Sequence, residues 1–259
     1  MQLARSVAVV TGAAGGLGKA FAQRVLANKG KVLITDVVAG PLGDTTKELQ
    51  SAFGKENVSS LVQDVTDSES FTGVFEHASD YFKQPFNLLV NNAGIGGKAS
   101  FYEPGAPRDW ELPVDITLKG VIRGTQVGFN FMKNNLPEGE EGVIVNVASI
   151  LGLFPIDLYP QYSASKWGVI GFTRTLGHLK QSSNVRVVAM APGFIATEAG
   201  LNAEQVMPDV IAHFRGMIPI ETVMDGFEEM VNDGSNAGRV MEIWKDKRGY
   251  TAFRDIADV

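Results

Sequence analysis

The chain has 259 residues, 44% of them hydrophobic and 20% charged, with a formal net charge of −6 at pH 7. That length suits one α/β domain with a full core, and the composition excludes a disordered or solvating chain. The acidic balance argues against a nucleic-acid partner, and the absence of cysteine removes disulfide scaffolds, thiolate metal sites and cysteine nucleophiles.

From Met1 the sequence enters an apolar run at 7–10 that glycines interrupt at once, too short for a signal peptide. No apolar stretch approaches the ~18 residues of a membrane span. A cytoplasmic protein without a membrane partner is expected, and the triplet Asn57-Val58-Ser59 reads as an unused glycosylation site. Short β-branched runs recur at 7–10, 31–35, 58–63, 87–90, 143–147, 185–189 and 240–243. Between them lie stretches of helical period, such as Leu17, Ala20, Phe21 and Val25, or Phe71, Val74, Phe75, Ala78 and Phe82. Nearly continuous apolar strands joined by helices predict an α/β fold over 1–259. The expected form is a single-domain, Rossmann-type doubly wound parallel sheet of about seven strands with helices on both faces. In such sheets ligands bind beyond the carboxyl ends of the strands.

The first strand end carries Thr11-Gly12-Ala13-Ala14-Gly15-Gly16-Leu17-Gly18. Glycines at 12, 15, 16 and 18 permit a tight turn and let backbone N–H groups approach a pyrophosphate at the helix N-terminus. A P-loop is excluded, because Gly18-Lys19 lacks the following Ser or Thr. Asp36 ends the second strand, where a carboxylate accepts hydrogen bonds from ribose hydroxyls and repels a 2′-phosphate. With no Lys or Arg at 13–16 or 37–40, the expected cofactor is NAD rather than NADP. Asp64-Val65 follow the third strand, in reach of an adenine or simply exposed. Asn91-Asn92-Ala93-Gly94 follow the fourth, in a composition ordinary for a turn.

Ser149 ends the fifth strand, and Tyr162-Ser163-Ala164-Ser165-Lys166 opens a helix expected over 162–181. A spacing of four puts Tyr162 and Lys166 on one face. An ammonium beside the phenol, together with a positive nicotinamide ring, favours the phenolate and would bring its pKa from ~10 toward neutrality. Tyr162 is then a general base in alcohol oxidation, with Ser149 holding the substrate oxygen. Met207, Ile211, Phe214, Met217 and Ile218, with Gly200 and Gly216, read as a substrate lid over about 198–220. His77, His178 and His213 show no metal-ligand spacing, so no metal is expected, and no Gly-x-Ser-x-Gly elbow is present.

Taken together these motifs resemble the short-chain dehydrogenase/reductase family. They are Thr11-Gly12-x-x-x-Gly16-x-Gly18, Asn91-Asn92-Ala93-Gly94, Ser149, Tyr162-x-x-x-Lys166 and Pro192-Gly193-x-Ile195-x-Thr197, in the family's order along nearly the whole chain. The resemblance implies that Lys166 also binds ribose hydroxyls. It implies too that Ile195 and Thr197 meet the nicotinamide carboxamide, while Asn91, Ala93, Gly94, Pro192 and Gly193 line the cofactor. The family usually places an Asn, anchoring a proton-relay water, seven residues beyond a position held here by Trp110; that site is Thr117. A relay through Thr117, or one that skips this helix, is expected.

Several stretches look like NAD-dependent hydroxyprostaglandin dehydrogenases: Trp110-Glu111, Val121-Ile122-x-Gly124-Thr125, Gly171-Phe172-Thr173-Arg174 and Gly238-Arg239-Val240-Met241-x-Ile243. Two features depart from that group, Tyr159 where it has a Gln and an insertion-like stretch at 96–107. The implied function is NAD-dependent oxidation of an apolar or lipid-like secondary alcohol to a ketone. The alternatives are a carbonyl reductase of the same family and a non-catalytic NAD-binding regulatory protein. The resemblance also implies a homodimer or homotetramer, with small-molecule substrate as the other partner.

Overall fold

The computed structural model describes residues 2–96 and 110–254. Most of the stretch read as an insertion therefore lies outside the described residues. Alternation of strand and helix runs along the chain: β1 (Val7–Thr11), α1 (Gly16–Ala27), β2 (Lys31–Asp36), α2 (Ala39–Phe53), β3 (Val58–Val62), α3 (Ser68–Phe82) and β4 (Leu88–Asn91). Next come α4 (Glu111–Val114), α5 (Gly120–Asn135), β5 (Gly142–Val147), α6 (Pro160–Thr175), α7 (Leu179–Ser183) and β6 (Val185–Pro192). The chain closes through α8 (Glu198–Val206), α9 (Pro208–His213), α10 (Ile220–Asn232), β7 (Val240–Ile243) and β8 (Arg248–Tyr250). Among the described residues no helix is long and apolar enough to cross a membrane.

The strands form one sheet in the order β3-β2-β1-β4-β5-β6-β7-β8. Seven run parallel, and the order reverses between β1 and β4, which opens a crevice at their carboxyl ends. Val7–Thr11 and Gly142–Val147 are buried at every position, so neither face of the sheet meets water there. One face packs on α1 and α10 through Phe21, Val25, Phe227 and Met230; the other packs on α3 and α5 through Phe71, Phe75, Leu89 and Met132. This two-sided burial is why the strands read as continuous apolar runs rather than alternating ones.

The strand count is eight rather than seven. β8 pairs antiparallel with β7 and has only three residues, two of them exposed, so it carries no apolar run. It is held by side chains instead: Arg239 stacks on the Tyr250 ring at 4.5 Å, and the Tyr250 hydroxyl donates to Asp233 at 2.9 Å. The helix expected over 162–181 is broken into α6 and α7. Gly177 sits at the break, where a Cβ would stand 3.2 Å from the Ala237 carbonyl oxygen. Between α4 and α5 the backbone passes through a π-helical turn, Asp115–Lys119, with Thr117 at its centre. Such turns widen a helix locally and recur at functional sites.

Candidate active site

A cleft of about 970 Å³ runs along the carboxyl ends of the strands, from Asp36 at one end to Met207 at the other. Its floor is the glycine loop. Gly12 and Gly16 have φ of +65° and +52°, backbone that side chains rarely adopt. A Cβ on Gly18 would lie 2.2 Å from the Gly12 carbonyl oxygen, and one on Gly12 would lie 2.8 Å from Ala93 Cα. Toward the cleft, by contrast, a Cβ on Gly15 would meet nothing within 4 Å, and one on Gly16 only Thr197 Cγ2 at 4.0 Å. The loop is thus wound tightly on itself while its outer face is bare backbone at the start of α1. That combination fits a dinucleotide pyrophosphate.

Thr11 and Asn92 clasp the loop from beneath. Thr11 Oγ1 accepts from the backbone N–H of Asn92 and Ala93 at 3.0 and 3.1 Å. Asn92 Nδ2 donates to the carbonyls of Thr11 and Gly12 at 2.9 and 3.0 Å. At the end of β2, Asp36 accepts from Ala14 N–H through Oδ2 and from Val38 N–H through Oδ1, both at 3.1 Å. Its carboxylate is thereby fixed toward the cleft. The neighbouring Val37 and Val38 are exposed and offer no cation. Asp64 and Val65 also line the cleft, Asp64 exposed with Oδ1 accepting from Thr66 N–H at 2.8 Å, and Val65 buried.

Asn91 stands elsewhere. Its side chain is 3% exposed and donates to Thr125 Oγ1 and to Asn146 Oδ1, inside the core between sheet and α5. Side chains alternate faces along a strand, and here the Asn91 side chain points to the helix layer, away from the cleft. Ala93 and Gly94 do border the cleft, as do Leu17, Pro192, Gly193, Ile195 and Thr197.

The far half of the cleft gathers Ser149, Tyr162 and Lys166. Ser149 caps a short 3-10 turn, Ile150–Gly152, by accepting from Leu151 N–H at 3.2 Å, which holds its hydroxyl at the strand end. Pro160 starts α6 and sets Tyr162 in its first turn. Lys166 is 3% exposed, its Nζ 5.5 Å from the Tyr162 ring centroid and donating to the Val147 carbonyl at 2.7 Å. Burial pushes the Tyr162 phenol up to about 12, with the Ser149 hydrogen bond pulling the other way. Burial likewise pushes Lys166 down to about 7. The expected acidification of the phenol is therefore absent from the protein by itself, because desolvation outweighs the Ser149 hydrogen bond.

Thr117 is fully buried, and its hydroxyl is engaged twice with Ile95: it accepts from the N–H at 3.1 Å and donates to the carbonyl at 3.2 Å. A Cβ on Gly94 would sit 3.4 Å from Thr117 Oγ1 and 3.6 Å from Lys166 Nζ. Thr117 thus ties down the loop that borders the lysine rather than facing the cleft.

Of the segment read as a lid, α8 has no buried residue, while Met207, Ile211, Phe214 and Ile218 beyond it are all buried. Phe214 packs edge-on to Phe194 and stacks with Trp244. Only the first half, α8, has the exposure of a cover; beyond Met207 the segment packs into the interior and does not border the cleft. Cleft-forming residues given no role from sequence include Asn92, Val147, Phe194 and Asn202. Asn92, inside the Asn91–Gly94 motif, acts through a side-chain clasp and Val147 through a backbone carbonyl; Phe194 is an unspecified position of the Pro192–Thr197 motif, and Asn202 lies in none.

The family model for short chain dehydrogenases matches residues 6–207. Over 271 residues the chain is 32% identical to the 15-hydroxyprostaglandin dehydrogenase (NAD(+)) of Mus musculus, covering 99% of this chain and 96% of that one. A 3-oxoacyl-[acyl-carrier-protein] reductase of Thermotoga maritima is 35% identical over 197 residues, covering 76% and 77%. Among solved structures, levodione reductase superposes with a TM-score of 0.82 at 25% identity, covering 95% of this chain and 98% of that one.

Proposed function

The chain belongs to the short chain dehydrogenase family, and on that premise we propose that it oxidises an apolar secondary alcohol to a ketone with NAD, Tyr162 acting as general base. The observation that carries this reading is one continuous cleft with Asp36 at one end and Ser149, Tyr162 and Lys166 at the other. Asp36 supports NAD, since a 2′-phosphate would meet a fixed carboxylate flanked by Val37 and Val38 and no cation. The relatives named as NAD(+) enzymes along nearly their full length agree with that choice. Leu151, Phe194, Val206 and Met207 beside the hydroxyls support an apolar substrate.

Bound in the cleft, oxidised NAD supplies the hydride acceptor and one fixed positive charge. The glycine loop with Gly12, Gly15, Gly16 and Gly18 would hold its pyrophosphate, and Asp36 its adenosine ribose. Ile195 and Thr197 would meet its carboxamide. Ser149 donates to the substrate oxygen, and Tyr162 receives the alcohol proton. Bringing the phenol from about 12 to about 7 needs about 7 kcal/mol. A unit charge about 5 Å away at an effective dielectric of ~20 gives about 3 kcal/mol, so Lys166 by itself does not supply it. The base is therefore assembled only in the loaded enzyme. Thr117 keeps the Gly94–Ile95 loop against Lys166, and proton exit runs past the lysine without a threonine-held water.

In the Tyr162→Phe variant turnover of secondary alcohols should fall by about 10²–10⁴-fold with NAD affinity within about twofold; retained turnover removes the assignment. The whole chain acts as one catalytic unit with α8 as its cover. It assembles as a homo-oligomer through the face where Trp110, Leu112 and Trp167 are 46%, 53% and 49% exposed. Sedimentation of Trp167→Glu should show a smaller species than wild type.

A further inference from the structure

Four polar side chains lie inside the otherwise apolar layer between sheet and helices: Asn91, Thr125, Asn146 and Thr173, each no more than 3% exposed. Asn91 and Asn146 are paired across β4 and β5. Asn146 is the hub. Its Oδ1 accepts from Asn91 Nδ2 at 2.9 Å and from Thr125 Oγ1 at 3.1 Å, and its Nδ2 donates to Thr173 Oγ1 at 3.0 Å. One side chain thus joins β4, α5 and α6 to β5. The packing around it leaves no slack, since a Cβ on Gly124 of α5 would lie 2.3 Å from Asn91 Oδ1.

The placement matters for the cleft. Asn146 directly precedes Val147, whose carbonyl accepts from Lys166, and lies three residues before Ser149. Thr173 is seven residues beyond Lys166 on α6, two helical turns along the same face. Strand β5 and helix α6 are therefore joined by two polar bonds, Asn146–Thr173 and Val147–Lys166. A helix held to a strand only by apolar contacts can slide by fractions of an ångström at little cost; two directional bonds fix its axial position. We propose that Asn146, through Thr173 and Thr125, is a positioning residue for the reaction: it fixes α6 and α5 along β5 so that Tyr162 stays opposite Ser149. The inference rests on the acid–base reading of Tyr162 given above, and it adds a determinant outside the cleft.

Thr173→Val keeps the shape and removes the hydroxyl, and Thr173→Ser restores it. Two readouts are taken for each variant: the Tyr162 phenol titration without cofactor, followed by phenolate absorbance against the matching Tyr162→Phe background, and kcat and KM with a secondary alcohol that wild type turns over. In Thr173→Val the phenol should titrate about one pH unit lower, as its enclosure loosens. Its kcat should fall about tenfold with KM for NAD within about twofold. Thr173→Ser should return both to wild type. A Thr173→Val enzyme with a lowered Tm but an unchanged phenol titration and unchanged kcat has lost stability alone, and overturns the inference. Should Thr173→Val fail to fold, Thr125→Val is read by the same two measurements, and unchanged values there overturn it equally. Failure of the acid–base reading shows separately, as turnover retained by Tyr162→Phe.

Discussion

The ammonium of Lys166 donates to the carbonyl of Val147 at 2.7 Å inside a site where the lysine is 3% exposed. Among the described residues no carboxylate shares that bond; the charge meets the backbone dipole and the Tyr162 ring 5.5 Å away, and burial brings the lysine from 10.5 to about 7. A buried cation kept without an ion-pair partner among the described residues costs stability, a cost that the proposed role beside Tyr162 would offset.

The pH dependence of stability exposes that cost. The lysine binds its proton less tightly folded than unfolded, so its favourable contribution is present above 10.5 and is lost as pH falls toward about 7. Lys166→Met lacks this titration. Its stability relative to wild type should improve as pH is lowered through that window, by up to about 1.4 kcal/mol per unit. Urea midpoints of the two proteins at several pH values read the difference, and a gap that stays constant would contradict the buried, unpaired charge.

At the other end of the cleft the test is cofactor choice. Asp36→Ala removes the carboxylate proposed to accept from ribose hydroxyls, and Val37→Arg adds a cation at a position 62% exposed, where the longer side chain fits. The double variant should bind NAD about 10–100-fold more weakly, as expected for charged hydrogen bonds of ~1.5–3 kcal/mol, and should gain affinity for NADP. Dissociation constants for the two dinucleotides decide it; a ratio shifted by less than about threefold speaks against the role of Asp36.

The cover makes its own prediction. A Cβ on Gly200 would stand 1.9 Å from the Ile195 carbonyl oxygen and 2.9 Å from Met217 Cε, so α8 must lift away in Gly200→Ala. Overpacking of this kind costs about 1–3 kcal/mol. The alcohol KM should rise by about tenfold and exceed any rise in the NAD KM. Gly73→Ala, at a site open to solvent on α3, serves as the control and should leave both unchanged. Equal behaviour of the two variants would remove α8 from substrate binding.

Much of the fold is legible in the sequence because parallel strands buried on both faces leave unbroken apolar runs. Val7–Thr11 or Val185–Pro192 could hardly be anything else. β8 is illegible for the complementary reason: Arg248-Gly249-Tyr250 is an edge segment held by cation–π and hydroxyl contacts to Arg239 and Asp233 rather than by an apolar run. The glycine spacing announces a turn, but only three dimensions show that Gly18 is packed against Gly12 while Gly15 stands open. Asn91 and Asn92 are neighbours of one type with different employment, one in the core and one on the loop clasp, and nothing local distinguishes them. The same holds for Thr117, whose hydroxyl is committed to Ile95 by a π-helical turn that propensity does not foretell.

The β7–β8 hairpin also bears on how this protein is made. Trp244, at the hairpin's turn, stacks on Phe214, which packs against Phe194 at the cleft border. A ribosome delivers Phe194 and Phe214 well before Trp244, so the substrate side of the cleft stays without its outer buttress until one of the last strands arrives. Nascent chains would then hold Phe214 and Phe194 without their last aromatic neighbour until Trp244 is made. Quality of the finished enzyme is in that sense written into the order of synthesis.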